Sequence, residues 1–211
     1  MIGDPLATFP LLAHTDAEST HKHRMISPAE QPVLMYDTEA LAQVLDTMAA
    51  GLAQRLHGRS AVTLVGIRRR GAPLADALLS RLRPRLAGVD LARLDLLVKR
   101  YADDLTLLHP KTLLTEAPEH ASIDLSQRTV VLIDDVLYQG FSLNKALQYL
   151  LSKGAHEVIT AVLVDRGCTS LPVHADIAGL KLQVAPEHVV ECHVPPFEED
   201  FAIVLTQAAS G

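Results

Sequence analysis

Two adjacent carboxylates, Asp134 and Asp135, follow a short apolar run and precede a turn that contains Gly140. The run, residues 129–133, is rich in β-branched side chains, which is typical of a strand buried on both faces of a parallel sheet. The strand is expected to end at the acidic pair, and ligands of open α/β folds bind at the carboxyl ends of strands. Carboxylates accept hydrogen bonds from sugar hydroxyls, and backbone N–H groups of a turn bind phosphate. The pattern therefore predicts a site for a phosphorylated sugar.

The residues after this turn have the pattern of a helix. Ser142 is expected to be its N-cap, because a serine hydroxyl accepts a hydrogen bond from the backbone of the first turn. The apolar residues that follow recur at helical spacing: Leu143, Ala146, Leu147, Leu150 and Leu151. A solvated turn is the alternative interpretation of the acidic pair, since other nucleotide-binding folds also place aspartates after a strand. The motifs described next favour the ligand site.

A second candidate anion site lies earlier in the chain. Residues 61–67 have the pattern of a buried strand, and Arg68, Arg69, Arg70 and Gly71 follow it directly. A helix with a proline in its first turn comes next. Arginine can grip phosphate oxygens through two parallel hydrogen bonds, so the junction predicts an anion-binding loop. A solvated basic turn is the alternative interpretation.

The composition limits the classes of function. A length of 211 residues is enough for one domain with a full core, and 48% hydrophobic residues are ordinary for a globular protein. No apolar run approaches the ~20 residues that a membrane helix needs. The net charge of −6 argues against a generally basic surface that coats nucleic acid. The two cysteines, Cys168 and Cys192, lack the spacing of a metal site and fit a reducing cytosol, so a cytoplasmic location is expected.

Residues 1–32 differ from the rest of the chain. They lack hydrophobic periodicity, contain four prolines and do not have the pattern of a secretory signal. From residue 37 to residue 58, apolar residues recur at helical spacing, with Asp37 or Thr38 as the expected cap. The expected organisation is an N-terminal extension of unassigned role at residues 1–32 and one domain at residues 33–211.

The central motif, Ile-Asp-Asp-Val-Leu-Tyr-x-Gly at residues 133–140, resembles the phosphoribosyl-pyrophosphate (PRPP) signature of type I phosphoribosyltransferases. It is most similar to that of the pyrimidine-operon attenuator/uracil phosphoribosyltransferase family. Three further motifs match the same family. They are the stretch at residues 65–71, which contains the arginine loop (residues 68–70), the Tyr-x-Asp-Asp-Leu stretch at residues 101–105 and the Asp-Arg-Gly motif at residues 165–167. The resemblance covers roughly residues 34–205. It implies an α/β fold, in which helices flank a parallel sheet and the C-terminal strands form a small hood.

The resemblance also implies a role for each motif. Asp134 and Asp135 would hold the ribose hydroxyls and Arg70 the departing pyrophosphate, as the catalytic residues. The further substrate-binding residues would be Arg68, Arg69, Gly71, Val136, Leu137, Tyr138, Gln139, Gly140, Phe141, Ser142, Asp103, Asp104, Asp165 and Arg166. The implied cofactor is Mg²⁺, bound mainly through the pyrophosphate of the substrate, with no metal ligand assigned to the protein.

The differences from the family pattern concentrate at these sites. A strand is expected to end near residue 100, and the long polar stretch that follows, to about residue 128, is expected to be a loop, which in the family forms a mobile flap over PRPP. Ala102, within it, stands where the family has an arginine. Losing a charge-stabilising donor typically costs ~10²–10³ in rate. Residues 139–142 are Gln-Gly-Phe-Ser in place of Thr-Gly-Arg-Thr, so Phe141 replaces a cation. Residues 168–170 are Cys-Thr-Ser in place of His-Arg-Glu.

The expected function is transfer of a phosphoribosyl group from PRPP to a nucleobase, uracil first, by a homo-oligomer that has PRPP and the nucleobase or its nucleotide as partners. Ala102 and Phe141 favour an alternative, a non-catalytic nucleotide-binding regulator with the same fold. A third alternative is binding of the pyr-leader RNA, to which the family's attenuators bind through basic residues on the first helix. That helix has no basic residue before Arg55, and phosphate contacts require lysine or arginine, so RNA is not an expected partner.

Overall fold

The structure, a computed structural model, describes residues 32–101, 111–115 and 122–207. The strands and helices of these ranges are, in chain order, β1 (Val33–Tyr36), α1 (Thr38–Arg55), β2 (Ala61–Ile67), α2 (Gly71–Leu82), β3 (Asp90–Tyr101), β4 (Lys111–Thr115), β5 (Thr129–Leu137), α3 (Phe141–Ser152), β6 (Glu157–Asp165), β7 (Ile177–Lys181), β8 (His188–His193) and β9 (Ala202–Gln207). The predicted extension at residues 1–32 falls almost entirely outside the described residues, and its boundary with the domain stays a prediction.

The main sheet has the strand order β4-β3-β2-β5-β6-β7. Its strands β3, β2, β5, β6 and β7 run parallel, and β4 is antiparallel to β3 at the edge. The β2–β5 register pairs Val62 with Thr129 and Gly66 with Ile133. The carboxyl ends of β2 and β5 therefore lie side by side, which brings the arginine loop and the acidic pair to the same edge of the sheet. The α/β fold with a parallel sheet is as predicted.

Helices cover both faces of this sheet because its inner strands are apolar on both sides. On one face α1 and α2 pack with Leu64, Val131 and Leu163 of the strands. On the other face α3 packs with Val130 and Leu132. Helix α1 begins after Asp37, whose side chain accepts a hydrogen bond of 2.9 Å from the backbone N–H of Ala40, as one of the two expected caps.

A second, antiparallel sheet of order β1-β9-β8 forms the hood. The resemblance implied a hood of C-terminal strands alone, and the structure adds β1, which pairs Val33 with Leu205 of β9. Strand β1 is the apolar run Val-Leu-Met-Tyr, but with four mostly exposed residues it is too short to be recognised as a strand from its sequence alone.

Three local expectations were wrong. Strand β5 does not end at Asp134 but continues to Leu137, because Val136 and Leu137 still pair with β6. Helix α3 has Gly140 as its N-cap and begins at Phe141, so Ser142 lies inside its first turn. The long polar stretch after β3 is not entirely a loop, since β4 lies within it and pairs with β3.

Two glycines allow the first turn of α2 to lie directly over the ends of β2 and β5. A Cβ atom on Gly71 would lie 2.6 Å from the carbonyl oxygen of Ile133, and one on Gly66 would lie 2.6 Å from the carbonyl oxygen of Gly71. Both neighbours are backbone atoms, which cannot rotate away. Glycine is therefore required at both positions for this close approach of the arginine loop to the end of β5.

We predict that Gly71→Ala destabilises the protein by about 1–3 kcal/mol, as overpacking of a rigid site does. Urea unfolding measures the change, with Gly51→Ala as the matched control. Gly51 lies inside α1, and a Cβ atom there would meet only the flexible Cδ1 atom of Ile177 at 3.2 Å. Alanine gains about 0.5–1 kcal/mol over glycine inside a helix, so the control should be neutral or stabilising. Equal losses in both variants would contradict the proposed close approach.

Candidate functional site

A cavity of about 470 Å³ opens at the carboxyl ends of β2 and β5, with β8 of the hood as its opposite wall. Its lining residues are Ile67, Arg68, Val98, Asp134, Asp135, Val136, Tyr138, Ser142, Arg166, Pro186, His188, Val189 and Val190. The cavity thus combines two carboxylates, two guanidinium groups and an apolar wall. Such a combination suits a ligand that has hydroxyls, anionic groups and a flat or apolar part.

The acidic pair forms the floor of the cavity. Asp134 and Asp135 are half-buried, and the Oδ1 atom of Asp134 accepts a 3.0 Å hydrogen bond from the backbone N–H of Asp135. This bond fixes the orientation of the first carboxylate against its own strand. Because carboxylates only accept hydrogen bonds when ionised, the floor recognises donors such as hydroxyl groups.

The turn between β5 and α3 closes one end of the cavity. Gly140 adopts a left-handed conformation with φ of 88°, and its carbonyl oxygen accepts the first helical hydrogen bond from Asn144 at 2.9 Å. A Cβ atom at Gly140 would also overlap the Cγ2 atom of Val173. Glycine therefore meets both requirements at this position. The positive end of the α3 dipole points to this turn, which suits a phosphate group.

The arginine loop, residues 68–70, points its three side chains in different directions. Arg68 lines the cavity, and its backbone N–H donates to the carbonyl oxygen of Leu96 at 2.8 Å. The guanidinium carbon of Arg69 lies 4.9 Å from the ring centroid of Phe197. The side chain of Arg70 does not line the cavity and instead makes a two-pronged ion pair with Glu198. The peptide bond between Arg68 and Arg69 is cis.

The pair of Arg70 and Glu198 stabilises the charge on both side chains. Hydrogen bonding to Glu198 raises the pKa of Arg70, with a further contribution from the charge of Asp135. Hydrogen bonding to Arg70 lowers the pKa of Glu198, and the backbone N–H of Val194 adds to the shift. Both groups are therefore charged at neutral pH.

Arg166 supplies a buried cation to the lining of the cavity. It is 8% exposed, and its guanidinium carbon lies 4.8 Å from the ring centroid of Tyr138. Its Nε atom is buried and has no hydrogen-bond partner among the residues that the structure describes. A buried donor without a partner carries an energetic penalty of about 1–3 kcal/mol, which a ligand with an acceptor group would relieve.

The structure brings together about half of the residues that the sequence nominated. Those that line the cavity are Arg68, Asp134, Asp135, Val136, Tyr138, Ser142 and Arg166. Those that lie next to it without lining it are Arg69, Arg70, Gly71, Leu137, Gln139, Gly140, Phe141 and Asp165. Of these, Leu137 and Gly140 line a small hollow beneath the turn. Asp103 and Asp104 lie outside the described residues, and so does Ala102. The binding roles of all these residues stay predictions.

Sequence reasoning missed the hood side of the cavity. Pro186, His188, Val189 and Val190 reach the site from β8 and the segment before it. Two neighbouring valines beside a histidine form a weak local signal, because short apolar runs of this kind also occur in ordinary strands. Their position opposite the acidic pair follows from tertiary structure alone.

Within the described ranges, no three His, Cys, Asp or Glu side chains lie close enough together to hold a metal ion. None of the helices in those ranges has both the length and the apolar composition of a membrane span.

The ion pair of Arg70 with Glu198 gives a pH-dependent contribution to stability. Because the pKa of Glu198 is lower in the folded chain, the contribution is complete above the ordinary glutamate value of 4.5 and is lost as the pH falls through the folded value. Glu198→Gln should therefore destabilise by about 0.5–1 kcal/mol at neutral pH, a size that allows for the partial exposure of the pair. Urea unfolding at about pH 7 and about pH 4 should show that the difference in unfolding free energy between the wild type and Glu198→Gln is smaller at the lower pH. A difference that is constant or grows on acidification would contradict this assignment.

Comparisons with known proteins agree with this geometry. The phosphoribosyl transferase domain family matches residues 35–199. The bifunctional protein PyrR of Trichormus variabilis is 36% identical over 174 residues, which are 82% of this chain and 94% of the relative. PyrR of Deinococcus radiodurans is 36% identical over 155 residues, which are 73% of this chain and 83% of the relative.

Solved structures show the same fold at low identity. The hypoxanthine phosphoribosyltransferase of Trypanosoma cruzi in complex with IMP has a TM-score of 0.64 at 12% identity, over 87% of this chain and 93% of that chain. A hypoxanthine-guanine phosphoribosyltransferase from Bacillus anthracis has a TM-score of 0.66 at 10% identity, over 83% and 98% of the two chains. The family match and the PyrR relatives confirm the resemblance read from the motifs. The chain belongs to the phosphoribosyl transferase domain family, with the type I fold, and within it to the family of the bifunctional proteins PyrR.

Proposed function

We propose that this protein binds PRPP and transfers its phosphoribosyl group to a nucleobase, with release of pyrophosphate. The observation that carries the proposal is the single cavity in which the acidic pair, the turn at the start of α3 and Arg68 meet. A phosphorylated ribose with a second anionic group has the hydroxyls and charges that these three features recognise. The family membership supports the same reaction class.

Each wall of the cavity has one task in this proposal. Asp134 and Asp135 accept hydrogen bonds from the ribose 2- and 3-hydroxyls, and the turn at residues 139–142 holds the 5-phosphate. Arg68, which lines the cavity, is proposed to bind the pyrophosphate, and the role there that the resemblance implies for Arg70 stays a prediction. The reaction needs no covalent nucleophile. The residues hold the two substrates in reactive orientation, which by itself supplies a large part of a typical rate enhancement.

The nucleobase is proposed to lie between Arg166 and the hood. Val189 and Val190 offer an apolar wall, and the unpartnered Nε of Arg166 offers a donor for a carbonyl oxygen. Uracil has two such carbonyl acceptors, and the chain's family is that of PyrR, whose name and sequence motifs point to pyrimidines. Uracil is therefore the first base to test.

The cofactor proposed is Mg²⁺, held mainly by the oxygens of the substrate pyrophosphate. Carboxylates are the protein ligands that Mg²⁺ prefers, and Asp134 and Asp135 lie where such a complex would bind. The ion would neutralise charge on the pyrophosphate as it leaves. We also propose a homo-oligomer that acts in the cytoplasm, with residues 33–211 as its functional domain.

A non-catalytic nucleotide-binding regulator is the second candidate. The observation that favours it is Phe141 at the start of α3, where the family pattern has a cation. A regulator would keep the ribose and phosphate contacts and lose turnover.

Pyrophosphate release from PRPP and Mg²⁺, measured with uracil and with other nucleobases in turn, separates the two candidates. The proposal expects release that depends on a base and is fastest with uracil. Binding of PRPP or a nucleotide without release would identify the regulator. If the protein neither binds PRPP or a nucleotide nor releases pyrophosphate, both candidates are contradicted.

The acidic pair provides a direct test of the binding site. Replacing Asp134 and Asp135 together with asparagine should weaken PRPP and nucleotide binding by at least about tenfold, because two charged acceptors for ribose hydroxyls are lost. Calorimetry measures the affinity, and circular dichroism checks that the fold is retained. Asp76→Asn, on the exposed surface of α2, is the control and should bind as the wild type does. Unchanged affinity in the double variant would refute the site.

RNA is not a proposed partner. Arg55, at the end of α1, is the basic residue of that helix, and its guanidinium already pairs with Asp176 at 3.4 Å. Each phosphate contact steepens the dependence of log K on log salt concentration by about 0.9. A helix with one basic residue would therefore give a weak complex. We predict no sub-micromolar binding of pyr-leader RNA at near-physiological salt, with or without uridine nucleotides. A gel shift that shows tight, uridine-nucleotide-dependent binding would contradict this.

A further inference from the structure

The loop between β8 and β9, residues 194–201, contacts the arginine loop at two consecutive positions. Phe197 lies under the guanidinium of Arg69, and Glu198 pairs with Arg70 through both of its carboxylate oxygens. We refer to residues 194–201 as the hood loop. Two consecutive side chains of one loop therefore meet two consecutive side chains of the other.

Glu198 is fixed by its own loop as well as by Arg70. Its Oε2 atom accepts a 2.8 Å hydrogen bond from the backbone N–H of Val194, four residues earlier. The backbone N–H of Phe197 also donates to the carbonyl oxygen of Val194 at 3.1 Å, which makes this part of the hood loop a closed turn. These contacts within the loop orient the Glu198 carboxylate independently of Arg70. The guanidinium of Arg70 then aligns with it through two parallel hydrogen bonds.

This contact links two opposite walls of the cavity. The arginine loop supplies Arg68 to one wall, and β8, which leads into the hood loop, supplies Val189 and Val190 to the other. Cys192, also of β8, is buried at 1% exposure. The Arg70–Glu198 pair therefore connects the arginine loop, which carries Arg68, to the loop that follows β8.

We propose that Glu198 is a positioning residue for the pyrophosphate site, which acts through Arg70 to hold the arginine loop against the hood so that Arg68 faces the ligand. This role rests on the proposed function, because it presumes that the cavity binds PRPP. The opposite role is that Glu198 occupies Arg70 in place of the anion and must leave when pyrophosphate binds. The two roles predict opposite effects of removing the carboxylate charge.

Glu198→Gln tests the role with little change of shape. Affinities for PRPP and for uridine 5′-monophosphate are measured by calorimetry with Mg²⁺, in the wild type, in this variant and in Glu199→Gln. Glu199 is the exposed neighbour and serves as the matched control. Glu198→Gln should weaken PRPP binding about tenfold, a change within the range of coupled polar pairs. Binding of the monophosphate, which has no pyrophosphate, should stay within about twofold of the wild type, whereas general damage to the site would weaken both ligands.

A double variant checks that Glu198 acts through Arg70. Arg70→Gln should weaken PRPP binding as Glu198→Gln does, and the two changes together should cost no more than the larger single loss. Full additivity would overturn the proposed pathway. Unchanged or tighter PRPP binding in Glu198→Gln would also overturn it, and tighter binding would identify the displacement role.

A chemical readout tests the contact without any ligand. In a Cys168→Ser background, Cys192 is the remaining thiol, and burial raises its pKa, so it reacts only when the hood opens. Glu198→Gln should speed labelling of Cys192 by about tenfold, whereas Glu199→Gln should not. An unchanged labelling rate would overturn the link between the loops. If the wild type fails to bind PRPP, the proposed function fails and the positioning role with it, while the labelling rate still reports on the link.

Discussion

The site depends on the close approach of three backbone segments: the end of β2, the end of β5 and the first turn of α2. The parallel register places Gly66 beside Ile133, and Gly71 then lies on the carbonyl oxygen of Ile133. No side chain can fit between these segments. Because of this contact, the arginine loop and the acidic pair share one edge of the sheet, although more than 60 residues of sequence separate them. The buried apolar strands on both sides keep that edge rigid.

The arginines at this edge of the sheet have different partners, which their residue type alone does not predict. Three consecutive arginines have three different surroundings: the cavity for Arg68, an aromatic ring for Arg69 and a carboxylate for Arg70. Two of the three cations are thus used between protein segments. Arg68 lines the same cavity as the acidic pair. A negatively charged ligand in the cavity would contact this arginine. The fourth cation, Arg166, stacks on Tyr138, and its buried Nε has no hydrogen-bond partner among the described residues.

The sequence predicted the parts of the fold that depend on local pattern. Strand β2 and the start of α1 lie where their apolar runs and cap residue placed them, because burial on both faces and capping leave direct signatures. The N-cap of α3 was misplaced, since a left-handed Gly140 outweighs a nearby serine. Arg70, whose implied role at the pyrophosphate stays a prediction, pairs with Glu198, 128 residues away. Contacts at such separations leave no trace in local spacing, and the same holds for the hood residues Val189 and Val190.

The central claim is that the cavity at the end of β5 binds a phosphorylated ribose. A crystal structure with uridine 5′-monophosphate is its most direct test. We predict ribose hydroxyl oxygens within hydrogen-bond distance of Asp134 and Asp135, and the phosphate at the turn formed by residues 139–142. The base should then lie between Arg166 and the hood. A nucleotide bound elsewhere, or bound here with its phosphate away from the turn, would contradict the account.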